Sequence, residues 1–244
     1  MAERGQQRPV QAGGPRPPRL ARPKLRKPKL PEGQRPFIDK DALRDLRAAA
    51  RKEDLDDIIK AFALAGEAME DERLDDAIEL LEWAKAQASR SAAVREALGI
   101  AHYLKGDFAK AHSELLTYRR LSNRHDQNHV LADCARAAGR HDKVAEYVEE
   151  MLAAKAPRER TVEGLIVLAG DRADRGDLRG ALDTLNRADL SPTSVESYHA
   201  RLWYAAADIT ARMGDHDVER EYLEAIAAVD EDFLDVAERL GSGS

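Results

Sequence analysis

The chain has 244 residues, of which 43% are apolar but only 5% aromatic, and alanine and leucine supply most of the apolar side chains. With 34% charged residues and strong helix formers throughout, this composition argues against a β-rich fold and for closely packed helices; no apolar run approaches the roughly 20 residues that cross a bilayer. The net charge of −6 conceals a division: residues 1–36 hold ten Lys or Arg against two acidic residues, a charge of +8, which leaves −14 for the rest.

Residues 1–36 also contain eight of the ten prolines. Proline lacks an amide donor and restrains the residue before it, so this segment is expected to be a disordered tail with a polyproline II bias. Its stretch RLARPKLRKPKLPEGQRP sets Leu20, Leu25 and Leu30 five apart among cations, and Arg16, Arg19, Arg22, Lys24, Arg26, Lys27, Lys29 and Arg35 are its candidate contact residues. Three roles are open to it: a solvated tail that opposes aggregation, RNA or ribosome contact in which each cation neutralises a phosphate and releases a counterion, or docking on an acidic protein surface, the chain's own included. The basic start is not followed by an apolar segment, so a secretory signal is not expected. The lone Cys134 fits a cytoplasmic chain, since one thiol forms no intrachain disulfide. The terminal GSGS, 241–244, reads as an appended linker.

From Phe37 the composition changes, and 37–240 is expected to be one helical domain. Asp39 offers an N-cap for a short leading helix over 40–52, whose apolar face is Leu43, Leu46, Ala49 and Ala50. Beyond it, pairs of helical segments alternate with tight turns near Glu72-Arg73, Gly106-Asp107, Gly139-Arg140, Gly176-Asp177 and Gly214-Asp215, separated by 34, 33, 37 and 38 residues. A period of this size is the signature of a solenoid. Glycine suits the turns because the last residue of each first helix must pass through a left-handed conformation.

The second copy carries the pattern most fully, with Leu98-Gly99, His102, Ala111 and Leu115 at the positions where a helical hairpin packs on itself. Small residues recur at equivalent places: Ala65, Ala132, Ala169 and Ala207 in the first segments, Ala77 and Ala181 in the second. Trp203 stands at the tryptophan position of the fifth copy, whereas Glu219 departs from the small residue expected there. On these residues the sequence resembles the tetratricopeptide repeat (TPR) family. The resemblance implies an all-α fold, a right-handed α-solenoid of about five helical hairpins behind the disordered tail.

It also implies a function: a non-enzymatic adaptor that holds a partner protein on the concave face formed by the first helices. Carried over position by position, that groove would present Ile59, Phe62, Gly66 and Met69, then Glu96, Ile100 and Tyr103, then His129, Asp133 and Arg136, then Glu163, Ile166 and Asp174, and finally Arg201, Tyr204, Asp208 and Arg212. Glu96, Asp133 and Asp208 stand where relatives that clamp a C-terminal carboxylate have neutral or basic groups. An apolar and acidic groove instead suits an amphipathic helix or an extended segment bearing Lys or Arg. An RNA- or ribosome-associated factor anchored by the basic tail is the alternative.

Reactive chemistry finds little support in the residues. His125 and His129 have the four-residue spacing of metal ligands but no third ligand nearby, and read as a cap region and a surface histidine. Glu53, Asp54, Asp56 and Asp57 are placed as the acidic first turn of a helix is. The Gly-Asp turns lack the context of a phosphate-binding loop, and Cys134 lies on an apolar helix face. Neither catalysis nor a cofactor nor a metal is expected, and Trp83 and Trp203 are expected in the core.

Overall fold

The computed structural model describes residues 26–30 and 38–242. Apart from 26–30, the segment expected to be a disordered tail lies outside the described residues, as do the candidate contacts Arg16, Arg19, Arg22, Lys24 and Arg35. Among the described residues there are twelve helices and no strand. A leading helix, α1 (Lys40–Ala49), is followed by five hairpins: α2 (Leu55–Glu70) with α3 (Leu74–Gln87), α4 (Ala92–Leu104) with α5 (Phe108–Ser122), α6 (Asn128–Ala137) with α7 (His141–Ala153), α8 (Arg158–Asp174) with α9 (Leu178–Asn186), and α10 (His199–Met213) with α11 (His216–Ala227). A short α12 (Val236–Ser242) closes the series. Each helix packs on its hairpin partner and on the next hairpin, so the expected helical solenoid is what the chain forms.

The turns follow from backbone chemistry. Gly106, Gly139, Gly176 and Gly214 have φ of +83°, +67°, +84° and +80°. Each lets the next residue's amide reach a carbonyl five residues back, as in Asp107 N to His102 O at 2.8 Å and Asp215 N to Thr210 O at 3.0 Å, which satisfies the orphan carbonyls of the helix end. The first hairpin makes the same bond, Arg73 N to Ala68 O at 2.8 Å, but Glu72 carries the left-handed conformation at φ +58°. Glu72→Gly should therefore raise the free energy of unfolding by about 0.5–1 kcal/mol, the strain removed less the added chain entropy of glycine; urea denaturation checks this.

The small residues act as the sequence implies. Ala65, Ala132, Ala169 and Ala207 in the first helices and Ala77, Ala111 and Ala181 in the second are buried at the hairpin contacts. At Gly99 an added Cβ would lie 2.6 Å from Leu115 Cγ. The third and fourth periods are long for different reasons. Helix α8 has 17 residues against 10 in α6, and the connection from α9 to α10 spans 187–198 without a helix. That connection is pinned where Trp203 Nε1 donates to Leu190 O at 2.9 Å.

Two ends of the solenoid differ from expectation. Helix α1 stops at Ala49 instead of reaching 52, because Ala50 turns to an extended conformation, φ −93° and ψ 156°. Asp39 caps it as expected, accepting from the amides of Asp41 and Ala42, both at 2.9 Å. The same helix then caps another: Asp45 accepts from the Ser91 hydroxyl and from the amides of Ala92 at 3.2 Å and Ala93 at 3.1 Å. The N-terminus of α4 is thus neutralised by a carboxylate from outside its own hairpin. At the other end, Glu219 is no defect in the repeat. It accepts from Arg239 of α12 at 2.7 Å, and Arg239 also reaches Asp208 at 2.6 Å and lies 5.4 Å from the centroid of the Tyr204 ring. A small residue at 219 would remove one of the two carboxylates that hold Arg239 of the closing helix.

Candidate partner-binding face

Of the seventeen residues carried over from the repeat pattern, six pair with one another between successive first helices, and the other five polar ones bond to groups outside the pattern. Between α4 and α6, Tyr103 donates to Asp133 Oδ2 at 2.7 Å, and Gln127 Nε2, just ahead of α6, donates to Glu96 Oε1 at 2.7 Å. Between α6 and α8, Arg136 Nε donates to Asp174 at 2.9 Å and Arg160 approaches His129 Nε2 at 3.4 Å. Arg201 of α10 pairs with Glu163 of α8, and Arg212 donates to the carbonyl of Ala173. Tyr204 and Asp208 of α10 reach forward to Asp235, at 2.8 Å, and to Arg239. The polar part of the face is a series of rungs, each joining one hairpin to the next.

The apolar part lies at the N-terminal end. Ile59, Phe62 and Met69 of α2 are half-buried against the first core cluster, and Ile100 of α4 is half-buried as well. Gly66 sits among the α2 positions with no heavy atom within 4 Å of an added Cβ. Ile166 of α8 packs on the larger, C-terminal cluster.

Burial changes the protonation of several of these groups. It raises the carboxyl of Glu96 against the opposing bond from Gln127, and likewise that of Glu163 against Arg201. Burial also raises the Tyr103 hydroxyl, and the hydrogen bond to Asp133 adds to it. His129 is buried rather than lying on open surface. Its Nδ1 lies 3.0 Å from the carbonyl of Asp126, and burial, reinforced by Arg160, lowers its pKa to about 4. His125 instead faces Glu150 at 3.6 Å and Asn128 at 3.4 Å, so the two histidines do not converge. The thiol of Cys134 is buried and pushed up to about 12 by desolvation. Such a thiol is a poor nucleophile at neutral pH.

His129 and His112 set a pH dependence. His112, 3.0 Å from the Tyr147 hydroxyl, is also lowered to about 4 by burial and then by Arg140 and Arg119. In the unfolded chain both titrate near 6.5. Between about pH 4 and 6.5 the unfolded chain therefore binds more protons than the folded one, so stability rises with pH across that window and is lost as pH falls through it. The urea midpoint should drop between pH 7 and pH 5, and a His112→Gln, His129→Gln variant should show a flatter profile. An unchanged slope in the variant would contradict this assignment.

The repeat pattern does not single out several participants: Gln127, Arg160, Asp235 and Arg239. A signal for them exists, since they follow their partners Glu96, His129, Tyr204 and Asp208 by 31 residues each. Of the acidic residues expected to open α2, Asp56 and Asp57 lie in its first turn, with Asp57 drawn into an ion pair with Lys27, while Asp54 is the N-cap residue without a side-chain capping bond and Glu53 precedes it. Both tryptophans are in the core, each 6% exposed.

Neither models of protein families nor curated proteins yield a match to the chain. Solved structures do. YrrB, described as a TPR protein with an unusual peptide-binding site, is 17% identical over 81% of this chain and 97% of its own, with a TM-score of 0.51. The TPR-like repeats of a Podosopora anserina kinesin light chain are 18% identical over 78% and 97%, with a TM-score of 0.55. A thermophilic TPR protein of Thermus thermophilus is 17% identical over 76% and 97%, also at 0.55. The likeness is one of fold: a TPR-type stack of helical hairpins.

Proposed function

We propose that the chain is an adaptor that holds a partner protein along the face of its first helices. The observation that carries this reading is the division of that face into a half-buried apolar end, Ile59, Phe62, Met69 and Ile100, and a polar end of cross-hairpin rungs. Such a surface suits a segment that lays apolar side chains on one half and offers cations to carboxylates on the other. Peptide-binding in YrrB agrees with this use of the fold. The groove residues of the reading are Phe62, Met69, Glu96, Ile100, Tyr103, His129, Asp133, Arg136, Arg201, Tyr204, Asp208 and Arg212, with the basic tail as a second contact that raises avidity through a flexible link. Affinity capture from the native cell with the full chain and with a Phe62→Ala, Ile100→Asp variant tests it. The variant should lose the partner by about tenfold or more. Retention that is indifferent to the variant but falls by about 10³ between 50 and 200 mM salt would instead establish the RNA or ribosome reading.

A further inference from the structure

The five described tail residues are not free of the body. Lys27 forms an ion pair with Asp57 in the first turn of α2, and Leu30 is half-buried against the first core cluster. Pro28 and Lys29 line a groove of about 330 Å³ with Leu64 of α2 and Arg73, Asp76, Glu79 and Leu80 at the start of α3. At 100° per residue, Asp57 and Leu64 lie within about 20° of each other on α2, and Ile59, Phe62, Gly66 and Met69 fall on the opposite side. This seat is therefore separate from the face assigned above to a partner. It lies on the edge of the first hairpin.

The chemistry of the seat matches its occupant. Leu64 and Leu80 supply half-buried apolar surface, Asp57, Asp76 and Glu79 supply negative charge, and its cation, Arg73, is held by Asp71 at 3.0 Å and Asp76 at 2.9 Å. Lys27-Pro28-Lys29-Leu30 has a near copy five residues earlier, Arg22-Pro23-Lys24-Leu25. Proline limits the entropy that such a short run loses when it is ordered. The hold is weak: Lys27 and Asp57 are 53% and 34% exposed, and an ion pair of that exposure contributes little and is screened by salt.

We propose that the outer α2–α3 edge is a receptor for short cation-Pro-Lys-Leu segments, which the chain's own residues 27–30 occupy as a displaceable ligand. Tethering gives that run an effective concentration on the order of mM, enough to exclude weak competitors of the same chemistry. The inference is independent of the first-helix face, since it uses different residues and a different partner.

Fluorescence anisotropy with a labelled peptide of residues 22–31, RPKLRKPKLP, tests it on the full chain. A Lys27→Glu, Leu30→Asp variant, which empties the seat, should bind the peptide about tenfold tighter than the unaltered chain. Adding Asp57→Lys and Glu79→Lys to that variant should abolish the gain. Equal binding to the unaltered and emptied chains, or binding to neither, would overturn the proposal. So would equal binding of a scrambled peptide of the same composition, which would show general attraction to an acidic body.

Discussion

Gly99→Ala should destabilise the protein by about 1–3 kcal/mol, although alanine is the better helix former. The new methyl would stand 2.6 Å from Leu115 Cγ and 2.7 Å from Leu115 Cδ2, and Leu115 is fully buried, so it cannot swing into solvent. Overpacking of a closed contact is relieved only by separating α4 from α5. Leu115→Ala alone should cost about 2–5 kcal/mol by leaving a cavity. The two together should cost clearly less than their sum, because the methyl at 99 fills part of the space vacated at 115. Gly66→Ala supplies the control: with open space around it on α2, it should gain about 0.5–1 kcal/mol. Urea denaturation followed by circular dichroism measures all four. A Gly99→Ala variant as stable as Gly66→Ala would show that the hairpin contact tolerates separation.

Trp203→Ala should cost about 3–5 kcal/mol, and its effect should spread into the preceding connection. The indole is 6% exposed, packs 5.5 Å from the His199 ring and holds Leu190 O. His199 Nδ1 in turn accepts from the Glu196 amide at 2.7 Å. The non-helical connection 187–198 is thus fastened near both ends by side chains of α10. Trp203→Phe keeps most of the apolar volume and removes the donor, so it should cost about 1 kcal/mol and accelerate amide exchange within 187–198. Mass-detected hydrogen exchange separates the two roles: protection lost only in the alanine variant would mean that packing, not the hydrogen bond, holds the connection.

The hairpins were legible because their requirements are local. A residue at positive φ near each turn and a small residue at each close approach recur at fixed offsets, and both are written directly in the choice of Gly106, Gly139, Gly99 and Ala111. The rungs were less legible. Hydropathy and register place Glu96, Asp133, Arg136 and Asp208 on one face, but they do not say whether a carboxylate on one hairpin is satisfied by a cation on the next. That depends on the distance between stacked hairpins, a tertiary quantity. The same holds for Asp45, which caps α4 from a separate helix 46–48 residues away, and for Glu219, which reads as a fault in the repeat until Arg239 supplies its partner. The seat of residues 26–30 was beyond pattern reading altogether. The tail's composition favours solvation, and its opposite charge favours the acidic body without indicating where.

The rungs also distribute stiffness unequally. From α4 to α12 each pair of consecutive first helices is crosslinked by side chains, whereas among the described residues no hydrogen bond or ion pair joins α2 to α4 directly. Apolar contact can slide where a directional bond must break. On the other side of that junction Lys85 of α3 holds Glu114 of α5 at 3.1 Å and Lys105 pairs with Asp75, so in thermal bending the first two hairpins should hinge about their second-helix side and part along the α2–α4 side, where the apolar end of the face lies.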